Sequence, residues 1–184
     1  MLIQLPETPD SPVTDSPAAG AEPSPAAAPS IDFENDQQMA SLSQAAWRYV
    51  HSPDNANAHA NFYVRLHCLN DVEKIVKFAE LFFGQPLISV PAYRRASFLR
   101  PDDAQLYVRE GFACYACGED EMARECIAEA RKHADETIEL LELEALIEPS
   151  LEKRRKMYAK ILELCPDHKG AFDYLVMLRD PDNH

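Results

Sequence analysis

Residues 101–130 read PDDAQLYVREGFACYACGEDEMARECIAEA, and their pattern decides the fold class. Apolar side chains recur at helical spacing, first Leu106, Val108, Phe112, Cys114, Tyr115 and Cys117, then Met122, Cys126 and Ile127. Alternation with period two fits nowhere in the stretch. Two amphipathic helices joined by a tight turn at Gly118 are therefore expected. Gly111 on the first helix and Ala123 and Ala130 on the second are small residues where two helices must approach closely.

The same layout recurs one unit earlier. Gly84 precedes Gly118 by the same interval at which Tyr93 and Ala96 precede Ile127 and Ala130, and Pro101 closes the earlier unit. Only four glycines follow residue 36, and two of them share this register, which chance does not readily supply. The interval and the layout resemble the tetratricopeptide repeat, a helix–turn–helix unit of about 34 residues with an early aromatic, a mid-helix Gly, Ala in its second helix and Pro at its end. With Ala104 as the first position, Tyr107 is the aromatic, Gly111 the mid-helix Gly and Gly118 the turn, and Ala123, Ile127 and Ala130 follow on the second helix. Cys114 stands where the family has Tyr, and Glu110 where it has Leu. The resemblance implies an all-α fold over residues 37–184: a right-handed α-solenoid of stacked helix–turn–helix repeats, about nine helices in all.

At 184 residues the chain fits one domain and is long enough to bury a core without disulfides. Its formal net charge of −13 argues against nucleic acid or an anionic membrane as the main partner, since both demand clustered Lys and Arg. No apolar run is long enough for a membrane-spanning helix, and the N-terminus lacks the basic and apolar regions of a signal peptide. Five cysteines, an odd number, fall on expected helices rather than at framework spacings, which fits a reducing cytoplasm. The first thirty residues hold seven prolines, and the first thirty-six hold seven Asp or Glu and no Lys or Arg. Residues 1–36 are expected to be a disordered, acidic, Pro/Ala-rich leader that cannot offset its ordering entropy by burial. Its apolar start, MLIQLP, could fold back into a groove.

From residue 37 the chain reads as helices. Met39, Leu42, Ala46 and Val50 form one stripe, Ser52-Pro53-Asp54 breaks it, and Phe62, Val64, Leu66 and Leu69 mark a second helix. Asn70-Asp71 caps a third, whose apolar set from Val72 to Phe83 is too wide for one buried stripe. Pro91 is tolerable only in a first turn, so the fourth helix is expected to start near Val90 and to end before Pro101. Asp135 is expected to cap a helix reaching Ile147, and Ser150 one reaching Leu164. A last helix from His168 would cover the end of the stack with Phe172, Leu175, Val176 and Leu178. The step from Pro101 to Pro166 falls three short of two full repeats, and the loss is assigned to the turn at Pro149.

Cys114-Tyr-Ala-Cys117, with Cys126 and His133 beyond, has a spacing that zinc uses. Both cysteines sit mid-helix at positions that pack, no second CxxC exists, and a buried Cys acts as a small hydrophobe. Core packing is the reading, with no metal and no cofactor. The chain has no HExxH, no Gly-rich phosphate loop and no catalytic spacing of His with Asp or Ser. Glu139, Glu142, Glu144 and Glu148 read as a solvated face, and Glu119-Asp120-Glu121 as charges favoured by a helix start. An enzyme is not expected.

In the tetratricopeptide family, positions two, five, nine, twelve and thirteen of each first helix face a bound peptide. Carried onto a unit starting at Asn70, these are Asp71, Lys74, Phe78, Leu81 and Phe82. For the unit starting at Ala104 they are Gln105, Val108, Phe112, Tyr115 and Ala116. The resemblance thus implies a largely apolar trough, with the alternative that some of these side chains pack against a neighbouring helix or a dimer partner. Repeats that clamp acidic chaperone tails carry Asn and further Lys or Arg here, whereas only Lys74 is retained. An extended or helical apolar segment of a partner protein fits better. Length, acidity, a few repeats and an N-terminal extension also resemble the bacterial type III secretion chaperones of hydrophobic translocators, which hold apolar segments in the groove and often form homodimers. The other reading is a scaffold or assembly subunit that uses the trough as a permanent contact.

Overall fold

A computed structural model of the chain describes residues 36–178. Residues 1–35 of the expected leader, with its MLIQLP start, and residues 179–184 lie outside the described residues, whereas Asp36 caps the first helix. Among these residues there are nine helices and no strand: α1 (Gln37–His51), α2 (Ala56–Cys68), α3 (Val72–Leu81), α4 (Pro86–Leu99), α5 (Ala104–Ala116), α6 (Asp120–His133), α7 (Ile138–Ile147), α8 (Leu151–Leu164) and α9 (Lys169–Met177). None of them is long and apolar enough to cross a membrane.

Side chains set most of the helix starts. Asp36, Asn55, Asp71, Asp103, Thr137 and Ser150 each accept hydrogen bonds from backbone N–H groups two or three residues on. These satisfy donors that a first turn leaves unpaired. Two expected starts are corrected. Thr137 caps α7 in place of Asp135, because its hydroxyl reaches Leu140 N at 3.2 Å while the chain is not yet helical at Asp135. α4 opens at Pro86, with Pro91 inside the helix rather than at its start. Pro91 cancels only a bond to the Leu87 carbonyl, in the first turn and on an exposed residue.

Consecutive helices pack on one another except α2 and α3, α5 against α6 most extensively, and every extensive contact joins helices at most three apart in the chain. The core is divided accordingly. One cluster, mainly from α1 to α4, centres on Met39, Leu42, Phe62, Leu66, Ile75, Phe78 and Ile88. A second joins Val108, Ile127, Ala130, Leu140 and Leu143, and a third joins Leu141, Ala145, Tyr158, Ile161 and Ala171.

From the α3–α4 pair to the α5–α6 pair, the second helices keep an interval that the first helices break. α4 and α6 start and end one full repeat apart, from Pro86 to Asp120 and from Leu99 to His133. The step from Val72, where α3 starts, to Ala104, where α5 starts, is two short of a repeat. α7 again starts a full repeat after α5, but α8 starts three short of a repeat after α6, so the loss falls between Ile138 and Leu151, the stretch that holds Pro149. Gly118 has φ +78°, and α5 closes around it: Glu119 N–H donates to Cys114 O and Gly118 N–H to Tyr115 O, the paired closure of a left-handed helix end. Gly84 is not an equivalent bend. It stands at the same distance before its following helix, but α3 already stops at Leu81, and a turn closed by Gln85 N–H to Phe82 O needs no positive φ.

Gly111 marks the meeting of three helices. A Cβ there would stand 2.5 Å from Leu143 Cδ2 on α7 and 3.2 Å from Cys126 Cβ on α6. At the other end, α9 covers less than expected. Ala171 is buried and Tyr174 and Leu175 are partly buried, but Phe172 and Val176 are 57% and 47% exposed, and Leu178 is exposed too. Among the described helices α9 packs extensively only on α8, so its other flank has no neighbour.

Candidate binding surfaces

The eight residues expected to line one groove separate in the structure. Phe78 is fully buried, its ring centroid 6.4 Å from that of Phe62 and 4.9 Å from that of Phe82, which is itself buried. Val108 is buried in the second cluster, and Phe112 and Tyr115 are half-buried against it. Gln105 is half-buried and Leu81 exposed. Lys74 turns to the start of α1, its Nζ 2.5 Å from Asp36 Oδ2. That hydrogen bond holds the Asp36 carboxyl below its ordinary value and raises Lys74 above its own. Phe78 and Phe112 therefore share no cavity.

The physical reason is a two-residue slip. Counted from the helix starts, Val72 rather than Asn70 is the counterpart of Ala104. Ile75, Phe78, Ala79 and Phe82 then correspond to Tyr107, Glu110, Gly111 and Cys114, the side that packs between helices. The counterparts of Gln105, Val108, Phe112 and Tyr115 become Glu73, Val76, Glu80 and Phe83. Of these Val76 is half-buried and the other three are exposed.

Successive first helices are tied together. Arg109 on α5 pairs with Glu80 on α3, Gly111 of α5 abuts Leu143 of α7, and His168 Nε2, at the cap of α9, lies 3.1 Å from Glu142 on α7. At the re-registered positions Phe83, Phe112 and Tyr115 keep accessible ring surface, with Glu73, Glu80 and Glu139 exposed nearby in register. Gln105 and Val108 also line a cleft of about 440 Å³ between α5, α6 and the start of α7, together with Asp102, His133 and Leu140.

Among the described residues, two carboxylates are buried. Glu110 and Glu144, one repeat apart on α5 and α7, are 4% and 8% exposed. Glu110 accepts from Arg94 Nε at 2.8 Å and from Ser97 Oγ at 3.0 Å. Glu144 receives a two-point bond from Arg131 at 2.5 and 2.7 Å. A buried carboxylate is tolerable only with such partners. The expectation that Glu144 belongs to a solvated face is thus corrected, while Glu139 is exposed and Glu142 and Glu148 are half-buried. A signal was present, since Glu110 stands where the resembled family has Leu, and the same residue type returns at Glu144 at the interval that separates Gly84 from Gly118.

Glu110 also belongs to a second group. One of its carboxylate oxygens and the Sγ atoms of Cys114 and Cys126 all lie within 4.8 Å of one another, and all three residues are buried. A hydrogen bond between the two thiols lowers Cys114 from its ordinary value and raises Cys126, and burial raises Cys126 further. Cys117 stands apart, its Sγ 2.8 Å from Ala113 O. His133 stacks on Tyr107 instead of joining the group. A cleft of about 490 Å³ between α4, α5 and α6 opens onto Glu110 and Cys126, and Arg94, Met122, Glu125 and Glu129 line it as well.

No protein-family model, no curated protein and no solved structure matches the chain.

Proposed function

We propose that the chain is a non-enzymatic protein–protein interaction module of tetratricopeptide type, whose first helices present a face to an apolar segment of a partner protein. The observation that carries this reading is the accessibility of Phe112 and Tyr115 on α5 and of Phe83 just past the end of α3, two helices tied by Arg109 and Glu80. The full-repeat interval between α4 and α6, and the locality of every extensive helix contact, support the solenoid. Burial of the three rings supplies affinity. The exposed Glu139 and the net acidity of the chain favour a segment flanked by Lys or Arg and disfavour an acidic tail. A secretion chaperone for a hydrophobic client is one form of this function, and it predicts a labile complex.

A second reading, a scaffold subunit with a permanent contact, is favoured by the open flank of α9, where Phe172, Val176 and Met177 are exposed. The test uses surface residues only. Phe83→Glu and Glu139→Arg are expected to leave the helical circular dichroism intact and to weaken capture of the partner recovered with the wild-type chain at least tenfold when combined. A complex that survives both changes removes the α3–α5–α7 face from consideration. A complex lost instead with Phe172→Glu selects the scaffold reading.

A further inference from the structure

We infer that Glu110, Cys114 and Cys126 form a binding site for a thiophilic divalent cation, zinc by donor set, reached through the cleft between α4, α5 and α6. The three donor atoms lie within 4.8 Å of one another. Any three points so spaced have a common centre no more than about 2.8 Å from each, against about 2.3 Å for zinc–sulfur and about 2.0–2.2 Å for zinc–carboxylate bonds. A contraction of roughly half an ångström, within the reach of small side-chain adjustments, completes three bonds. The donors come from both members of the most extensively packed helix pair, so their spacing is held by the fold.

Charge and second contacts agree with this assignment. Two thiolates and one carboxylate carry three negative charges, which a divalent cation and the Arg94 guanidinium balance inside a buried site. With both thiols protonated, the Glu110–Arg94 pair is already neutral, so binding exchanges two protons for one cation. Each Glu110 oxygen keeps a lone pair after accepting from Arg94 or Ser97. Those two residues can therefore orient the ligand while it binds. The cleft leaves a fourth position for water or a small ligand, with Glu125 and Glu129 at its wall to attract cations. Two sulfur donors disfavour magnesium and calcium.

The test is a titration of the reduced, chelator-treated full chain with Co²⁺ and then Zn²⁺. The expected result is one equivalent of cobalt bound with release of two protons, a thiolate-to-cobalt absorption band in the near ultraviolet, and loss of the band on displacement by zinc with no further proton release. Cys126→Ser and Cys114→Ser should each abolish or halve the band. Glu110→Gln should weaken binding about tenfold or more, while Cys117→Ser, Cys68→Ser and Cys165→Ser leave the band unchanged. A missing band in the wild-type chain, or one that Cys126→Ser leaves intact or Cys68→Ser reduces equally, overturns the site. Should the serine variants unfold, alkylation of the wild-type chain decides. Zinc must slow modification of Cys114 and Cys126 but not of Cys68, and equal rates with and without zinc overturn the site.

Discussion

Replacing Gly111 with Ala sets two measurable effects against each other. Ala in a helix interior is better than Gly by about 0.8–1.0 kcal/mol, and Gly111 lies in the middle of α5. Against this, the new Cβ would stand 2.5 Å from Leu143 Cδ2 and 3.2 Å from Cys126 Cβ. Carbon atoms rest at about 3.5–4.0 Å, so Leu143 must withdraw by about 1 Å. It is fully buried and has nowhere free to go. Overpacking of this kind costs about 1–3 kcal/mol, which leaves a net loss near about 1 kcal/mol. The double mutant sharpens the argument. Leu143→Ala alone should cost about 2–5 kcal/mol, but less in the Gly111→Ala background, where the added methyl occupies part of the cavity. A coupling of about 1 kcal/mol is expected. Urea unfolding followed by circular dichroism reads both quantities. Gly84→Ala is the control, since a Cβ there meets nothing within 4 Å. If Gly111→Ala raises stability by the full helix-propensity gain, or the two changes add without coupling, the three helices do not meet at Gly111.

Gly118→Ala should lower stability by about 1 kcal/mol, because a residue with a Cβ is strained at φ +78°; an unchanged urea midpoint would contradict the left-handed closure. Ser89→Ala should raise stability by about 1 kcal/mol, since the Ser89 hydroxyl is buried without a hydrogen-bond partner and the matching position of α6, counted from the helix starts, is Ala123; a lower thermal midpoint would count against it. Asp36 has a folded value below its ordinary 3.8, held there chiefly by the Lys74 hydrogen bond. Its contribution is complete above the unfolded value and is lost as pH falls through the lower folded one. Asp36→Asn should therefore flatten the fall in stability below about pH 4, and identical acid limbs in the two proteins would refute the pairing.

Helix class and several boundaries were legible because local chemistry writes them. Asp71 and Ser150 cap where their side chains can reach back, Pro101 and Pro166 follow helix ends, and Gly118 bends where only Gly is unstrained. The groove was not legible, because a search at a fixed interval sees the turn Gly and the second helix but not that α3 starts closer to α4 (Val72 to Pro86) than α5 does to α6 (Ala104 to Asp120). Gly84 keeps its place relative to α4, so the slip falls entirely on α3 and moves Phe78 and Phe82 from an expected open face into the core. Glu144 was hidden for another reason. A charge defaults to solvent, and its partner Arg131 lies on a different helix at a spacing that no single-helix rule inspects. The Cys114–Cys126 pair spans a hairpin in the same way, whereas of the CxxC pair that draws the eye only Cys114 joins the group, and the Cys117 thiol turns to Ala113 O.

Arginines also account for how the helix pairs are joined. Arg94 of α4 meets Glu110 of α5, and Arg131 of α6 meets Glu144 of α7. Arg95 of α4 reaches the carbonyls of His67 and Leu69 and the side chain of Asn70 at the joint between α2 and α3. Hydrophobic contact between helix pairs is non-directional and permits sliding, whereas a buried carboxylate is satisfied at one setting only. The pairs therefore fix register more than they add stability. The asymmetry of burial makes this testable. Glu144→Gln leaves Arg131, 55% exposed, to water and should cost under about 1 kcal/mol. Arg131→Met leaves a buried carboxylate unpaired and should cost about 2 kcal/mol. Because contacts are local, the loss of hydrogen-exchange protection in Arg131→Met should be concentrated in α6 to α9. A loss spread evenly from α1 to α9 would show that the nine helices open as one unit and that the joint at Arg131 sets nothing on its own.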